Sequence, residues 1–280
     1  MSVSRYPVAI AGAGPAGSAL ALALQALGVE ALLLDRPLAQ PFRIGESATP
    51  DVAGLLARLG AGHALDGQPG YHGNLSLWGS ESPRLDHFLY RGRGHGWHLD
   101  RAGFDHALRQ EAMARGVAVL GESGVDAIAP AAGGWRLRVR GLGEVEARVV
   151  VDAGGRRSPL ASRLGISRCR LDRLQALACR VDGPGQLSGY SLVESAPYGW
   201  WYAAALPDGR ALATLMTDQD LAGNWGWNIP PISWLPGAPP GCCRRGCRRR
   251  SGSTPRTPSP RTAAASPAPP APAGSASATR

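Results

Sequence analysis

The chain has 280 residues, which is enough for one large domain or two smaller ones with a hydrophobic core. Its formal net charge of +9 is confined to one end, because eight of the 30 basic residues and no acidic residue lie in residues 241–280. The rest of the chain carries 22 basic and 21 acidic residues, which argues against a nucleic-acid partner for the body of the protein.

Composition excludes further classes of protein. Every basic residue is an arginine, so no lysine is available to a mechanism that needs one. The five cysteines lack the spacing of a metal site or of a disulfide framework, and we expect no metal. No stretch reaches the ~20 apolar residues that span a bilayer, so we expect a cytoplasmic protein without a membrane span.

The first elements of the chain form a predicted βαβ unit. The apolar run at residues 7–11 is typical of a buried parallel strand. It leads into residues 12–17, which have the G-x-G-x-x-G spacing, and then into a predicted helix over residues 18–27. A second predicted strand, over residues 31–34, ends at Asp35. Dinucleotide-binding domains begin with this order of elements.

Each glycine in the turn of this unit has a physical role. Gly12 permits the tight turn from strand to helix, Gly14 leaves room for a pyrophosphate, and Gly17 lets the helix pack closely on the strand. The helix N-terminus offers free N–H groups to the phosphates. Asp35 is placed to accept both hydroxyls of an adenosine ribose. The pattern predicts a dinucleotide site without separating FAD from NAD(P).

Two further helices are predicted. Thr49 caps the first, which runs to about Leu59, and Asp100 begins the second, which ends at Gly116. The predicted apolar face of the second helix comprises Phe104, Leu108 and Met113. Arg101 lies in its first turn, where a cation opposes the helix dipole, so either a ligand or exposure to solvent has to account for it.

The remaining regular elements are predicted to be strands. They cover residues 117–120, 125–128, 135–140 and 144–151, and the last leads into a glycine-containing turn at 152–155 that lets the backbone approach a ligand. Residues 177–216 are interpreted as an antiparallel substrate domain. Its aromatic residues either line a substrate pocket or fill the sheet core. They are Tyr190, Tyr198, Trp200, Trp201 and Tyr202.

Several segments resemble the FAD-dependent monooxygenase superfamily, in the branch of the flavin-dependent halogenases and peptide-modifying flavin hydroxylases. They are GAGPAG at 12–17, RIGESATP at 43–50, LDRAGFDHAL at 99–108, VVVDAGGRRSPLASRLG at 149–165 and GWWYAAALPDGRALATLMTDQDL at 199–221. The resemblance implies an α/β fold, in which a Rossmann-like FAD-binding domain with a βαβ start carries an inserted, mostly antiparallel substrate domain. We expect the FAD-binding domain over 1–165, incomplete substrate-domain strands over 166–228 and a disordered Pro/Arg/Ala-rich tail over 229–280.

The resemblance also implies FAD as the cofactor and NAD(P)H as its reductant. The cofactor-binding residues that it carries over are Gly12, Ala13, Gly14, Pro15, Ala16, Gly17, Asp35, Arg36, Arg43, Glu46, Ser47, Arg101, Val125, Asp152 and Gly154. Among them, Arg43, Glu46 and Ser47 would lie along the cofactor, and Arg101 would reach its phosphates or ribose. No catalytic acid or base can be assigned from the sequence.

The implied reaction is hydroxylation of a small-molecule or peptide substrate through a flavin hydroperoxide. Halogenases of this branch carry a lysine after the Gly-Glu-Ser segment and a W-x-W-x-I-P signature. The lysine is absent and the matching residues 225–230 lie too late in the chain, so halogenation is rejected. Two alternatives stay open: a flavin-dependent reductase of isoprenoid double bonds, and an inactive, truncated remnant of such an enzyme.

The family's third FAD element, a Gly-Asp-Ala-Ala motif that opens a helix, has no match here. Half of the 24 prolines lie in residues 230–272 instead, which predicts disorder. A natural tail, a nucleic-acid-binding arm and the shifted reading frame of a GC-rich gene all remain possible origins. Back-translation of residues 253–260 permits a frame that encodes Asp-Ala-Ala, which favours the shifted frame. Sequencing the gene over codons 225–255 decides between them.

Overall fold

The structure, a computed structural model, describes residues 3–36, 43–80, 82–183, 187 and 189–224. Its strands are β1 (Ser4–Ala11), β2 (Ala31–Leu34), β3 (Ser47–Ala48), β4 (Gly70–Tyr71), β5 (Gly73–Leu77), β6 (Arg84–His87), β7 (Gly96–His98), β8 (Ala118–Leu120), β9 (Val125–Ala131), β10 (Gly134–Val139), β11 (Gly143–Asp152), β12 (Leu174–Asp182), β13 (Tyr190–Ala196), β14 (Gly199–Ala205) and β15 (Arg210–Asp218). The α-helices are α1 (Pro15–Ala26), α2 (Asp51–Arg58), α3 (Arg101–Ala114), α4 (Pro159–Arg163) and α5 (Gln219–Asn224). Short 3-10 helices cover Gly62–Leu65, Phe88–Arg91 and Gly155–Arg157.

The first sheet has the strand order β8-β2-β1-β11-β10-β9. Strands β2 and β11 run parallel to β1 on either side of it, and Ala11 pairs with both Leu34 and Asp152. These three strands therefore end together at one edge of the sheet, where ligands of open α/β sheets bind. β1 can occupy the centre because its last four residues are apolar and buried, as a strand covered on both faces requires.

Helices α1 and α3 pack on one face of this sheet. Ile10, Leu22, Leu33 and Leu108 are fully buried in the core between them. The prediction placed the start of α1 at Ser18, but the helix begins at Pro15, because the fixed φ of proline suits the first helical position. The helix thus starts inside the glycine-rich turn, which brings its N-terminus to the edge where β1 ends.

Two details of the predicted helices were wrong. Thr49 does not cap α2: the preceding residue is Pro50, and no side chain caps this N-terminus. Met113 is 49% exposed and does not belong to the apolar face of α3. The buried face continues from Phe104 and Leu108 to Ala112, since residues four apart share one side of a helix.

The second sheet has the order β12-β15-β14-β13-β5-β6 and is antiparallel except where β13 runs parallel to β5. Strands β5 and β6 precede residue 165, so the sheet draws on residues 73–87 as well as on 174–218. A third, three-stranded sheet has the order β3-β7-β4. The predicted α/β class, with a Rossmann-like first sheet and a mostly antiparallel second one, is confirmed, whereas the domain boundaries stay a prediction.

The tail at 229–280, the tryptophan signature at 225–230 and the shifted-frame hypothesis lie outside the described residues. Within the part of the chain that the structure describes, no helix is long and apolar enough to cross a membrane. The same residues contain no group of three or more His, Cys, Asp or Glu side chains that could hold a metal ion.

Candidate cofactor site

The turn between β1 and α1 is shaped by close backbone contacts. Gly12 has a φ of +119°, and a Cβ on it would lie 2.5 Å from the carbonyl oxygen of Ala153. A Cβ on Gly17 would overlap the carbonyl oxygen of Gly12. Both positions therefore require glycine for packing alone. A Cβ on Gly14 would meet nothing within 4 Å, so the protein's own packing does not require glycine there.

Gly14 is the N-cap residue of α1. Ala13 is buried, Pro15 is the first helical residue and Ala16 is exposed. Among the residues that the structure describes, no side chain caps this helix, so its first N–H groups remain available to an anion. The side of the turn without packing contacts thus carries the donors that a pyrophosphate needs, which fits the dinucleotide prediction.

Asp35 follows β2 and is fixed by its backbone. Its N–H donates to the carbonyl of Leu120 (2.9 Å), and its carbonyl accepts from the N–H of Ser123 (2.9 Å). Val125, two residues after Ser123, begins β9. Its side chain lies in the core of the first sheet, so only its backbone could touch a ligand. Arg36 is exposed.

The Asp35 carboxylate faces three charged side chains. Arg109 Nη1 lies 3.3 Å from Asp35 Oδ2, and both side chains are partly buried. Burial raises the pKa of Asp35 above its usual value, while the charges of Arg109 and Arg43 oppose this shift and that of Asp105 adds to it. The predicted ribose-binding carboxylate is thus held in an ion pair that the sequence analysis did not anticipate.

The predicted residues Arg43 and Arg101 meet at a third side chain. Both pair with Asp105, whose carboxylate is only 1% exposed, and Arg101 Nε lies 3.3 Å from Asp105 Oδ1. Arg101 Nη1 also donates to the carbonyl of Ile44 (2.8 Å). These contacts explain why a cation, Arg101, lies in the first turn of α3, where it opposes the helix dipole. The sequence analysis missed Asp105, although its four-residue spacing from Arg101 was a readable signal.

A cavity of about 430 Å³ adjoins Arg43 and Arg101. Its wall also includes Glu46, which is 2% exposed, and Arg180 and Asp208 from the side of the second sheet. Neither carboxylate oxygen of Glu46 accepts a well-formed hydrogen bond from the described residues. A buried carboxyl without well-formed partners is costly, so a ligand in the cavity that donates a hydrogen bond to Glu46 would satisfy it.

Burial is the main influence on Glu46 and raises its pKa above the usual 4.5, against the weaker opposing effects of nearby backbone amides and arginines. The folded protein therefore keeps this proton to a higher pH than the unfolded chain, and wild type loses stability as pH rises from about 4.5 through the folded pKa. We predict that Glu46→Gln, which does not titrate, gains stability over wild type above that pH. Urea unfolding at pH 4 to 8 checks this, and parallel stability curves for the two proteins would contradict it.

Ser47 connects the small sheet to the second sheet. Its Oγ lies 2.6 Å from the Tyr202 hydroxyl, and Ser47 pairs with His98 across β3 and β7. Burial raises the pKa of Tyr202 far above its usual value and lowers that of His98 to about 4, so both side chains are neutral at pH 7. Strand alternation explains why Tyr202 reaches this side while Trp201 fills the sheet core.

Of the other aromatic residues, Tyr198 belongs to the core of the second sheet, and Trp200 packs edge-on against the exposed Trp78. Packing in the sheet core therefore holds for Tyr198 and Trp201. The substrate-pocket interpretation stays a prediction for the other aromatic residues, since none of them is among the residues that line the described cavity. Tyr202 contacts Ser47, whose neighbour Glu46 lines the cavity.

Asp152 and Gly154 lie at the end of β11, beside Gly12. Asp152 Oδ2 accepts from the N–H groups of Leu160 (2.9 Å) and Ala161 (3.0 Å), and Oδ1 accepts from Gly154 (3.1 Å). The carboxylate therefore stabilises the start of α4. A Cβ on Gly154 would overlap the ring of Pro159, so packing within the protein requires glycine at this position.

Known proteins are similar to this chain over most of its length. A sequence model of the tryptophan halogenase family matches residues 82–220. LodB of Marinomonas mediterranea, named as an FAD-dependent oxidoreductase, is 33% identical over 228 residues, which are 77% of this chain and 61% of LodB. The flavin-dependent halogenase CmlS has a similar structure, with a TM-score of 0.70 and 28% identity over 80% of this chain and 43% of CmlS.

A further solved structure is that of the peptidyl tryptophan dihydroxylase QhpG, with a TM-score of 0.60 and 27% identity over 77% of this chain and 46% of QhpG. This chain spans between 43% and 61% of the length of the three proteins. These similarities support the FAD-dependent monooxygenase superfamily as the family of this chain, in the branch of the flavin-dependent halogenases and peptide-modifying flavin hydroxylases.

Proposed function

We propose that the chain binds FAD and forms the cofactor-facing part of an FAD-dependent hydroxylase. The observation that carries the proposal is the turn at Gly14, where open space, free helix N–H groups and a following Asp35 occur together. Strand pairing places the ends of β1, β2 and β11 at this same edge. The arrangement fits the pyrophosphate and adenosine ribose of a dinucleotide.

Different residues are proposed to bind the two ends of the cofactor. Gly14 and the N-terminus of α1 would hold the pyrophosphate, and Asp35 the adenosine ribose. Arg43, Arg101 and Glu46 line the cavity, which offers charged and hydrogen-bonding groups to the flavin end. When bound, FAD supplies the redox and oxygen chemistry, and the protein supplies binding, orientation and exclusion of water.

Hydroxylation is proposed over halogenation because the chain has no lysine, including in the strands Gly70–Tyr71 and Gly73–Leu77 that follow the Glu46 segment. The substrate is proposed to be a small molecule or a peptide. QhpG, a peptidyl tryptophan dihydroxylase, supports a peptide, and the tryptophan 2-halogenase of Chondromyces crocatus (28% identical) supports a small indole compound. NAD(P)H is proposed as the source of electrons.

Full-length protein loaded with FAD tests this proposal. The flavin is reduced anaerobically with NADH, NADPH or dithionite in separate samples, then mixed with ¹⁸O₂, bromide and a tryptophan-containing peptide or free tryptophan. We expect one ¹⁸O atom in the product, as measured by mass spectrometry, and reduction by at least one nicotinamide. A brominated product would establish halogenation instead. Reduction by dithionite alone would contradict the proposed electron source.

A further inference from the structure

Three charged residues of α3 form one row along the helix. Arg101, Asp105 and Arg109 are four residues apart and therefore share a face. Arg101 and Asp105 serve the cavity end of the proposed FAD site, whereas Arg109 contacts Asp35 at the adenosine end. The first two residues pair with each other, but the role of Arg109 is not explained by packing within the helix.

The contact between Arg109 and Asp35 is partly buried and involves one carboxylate oxygen. Arg109 Nη1 lies 3.3 Å from Oδ2, with side-chain exposures of 20% and 23%. Arg109 Nη2 also lies 3.4 Å from His106 Nδ1. An arginine remains charged at all pH values of interest, so it can keep a partly buried carboxylate ionised.

We propose that Arg109 is a positioning residue for the adenosine ribose, holding the Asp35 carboxylate ionised and oriented so that it can accept the two ribose hydroxyls. The inference rests on the proposed FAD binding and adds to it a residue outside the glycine-rich turn. An ionised carboxylate is an acceptor at both oxygens, whereas a protonated one has to donate from one of them. Loss of Arg109 therefore weakens binding of the ribose most at low pH, at which Asp35 is most readily protonated.

Three charged groups face Asp35, and they set the expected pH dependence. Arg109 and Arg43 favour its ionised form, whereas Asp105 and burial disfavour it. Removing Arg109 raises the pKa of Asp35, so the acid limb of binding moves to higher pH. The guanidinium of Arg43 stays, but it is shared with Asp105.

ADP is a suitable probe because it contains only the adenosine and pyrophosphate parts of FAD. Calorimetric titration of the full chain at pH 5 to 8 should show that Arg109→Met binds ADP about tenfold more weakly at pH 7, the effect of one charge-assisted hydrogen bond. We also expect the acid limb of ADP binding to move to higher pH in Arg109→Met. Arg109→Lys should restore the wild-type pH profile in part. Arg140→Met, which removes a charge from an exposed ion pair with Asp126, is the matched control.

The double variant separates positioning from general stabilisation. In an Asp35→Asn background, which has no carboxylate to hold, Arg109→Met should change ADP affinity by less than about twofold. An Arg109→Met protein with wild-type affinity and wild-type pH profile would overturn the inference. So would an equal loss at every pH with a lowered melting temperature. Wild type that fails to bind ADP would instead overturn the proposed function, and with it this inference.

Discussion

Gly17→Ala is expected to lower the free energy of unfolding by about 3 kcal/mol or more, a large value for adding one methyl group. The new Cβ would overlap the carbonyl oxygen of Gly12 and lie 3.2 Å from the Cβ of Ala153. Helix α1 would have to move away from the ends of β1 and β11, which pack against it through these atoms. Urea unfolding followed by far-UV circular dichroism measures the loss.

Gly14→Ala is the matched control for this prediction. It adds the same methyl group three residues earlier, where nothing among the described residues lies within 4 Å, and the backbone φ of −77° suits alanine. We expect a change of about 1 kcal/mol or less, the cost of replacing glycine at an N-cap. Equal destabilisation by both variants would show that the turn does not pack as described.

Asp105→Asn is expected to destabilise the protein by about 3–5 kcal/mol, the cost of removing one partner from a buried ion pair. The carboxylate is 1% exposed and pairs with both Arg43 and Arg101. The neutral amide keeps the shape but leaves two guanidinium groups without their counter-charge. Because these arginines also line the cavity, we expect FAD affinity to fall as well.

An exposed pair of the same chemistry gives the comparison for Asp105. Asp126 pairs with Arg140 at 2.7 Å, with side-chain exposures of 39% and 65%. Asp126→Asn should change stability by about 0–1 kcal/mol. Denaturant unfolding of the two variants side by side checks the prediction. A similar small loss in both would mean that Asp105 is better hydrated than its burial indicates.

The βαβ unit was predictable because its signals are local. Strand, glycine spacing, helix and acid follow each other within 35 residues, and each has a backbone or packing reason that one segment supplies. The start of α1 was misplaced only because the proline at position 15 was assigned to the loop. The helix at Arg101–Ala114 was predictable for the same reason, since Asp100 accepts from the N–H groups of Ala102 and Gly103.

The parts that were missed depend on pairing between distant residues. Strand β5 joins the second sheet through parallel pairing with β13, more than a hundred residues later, and no local pattern encodes that choice. Ser47 meets Tyr202 across 155 residues of sequence, so its partner could not be read from its neighbours. Arg43 and Arg101 were singled out separately. The spacing of Arg101 and Asp105 was readable, but the contact of Asp105 with Arg43 forms only when α3 is placed beside the segment that contains Arg43.

The central claim is that the turn at residues 12–17 holds the pyrophosphate of FAD. Titration of the full chain into FAD, followed by flavin fluorescence, tests it most directly when wild type and Gly14→Ala are compared. We predict saturable one-to-one binding to wild type, competition by ADP, and a large loss of affinity in Gly14→Ala, whose stability changes by about 1 kcal/mol or less. Binding that is not saturable, or that Gly14→Ala leaves unaltered, would contradict the claim.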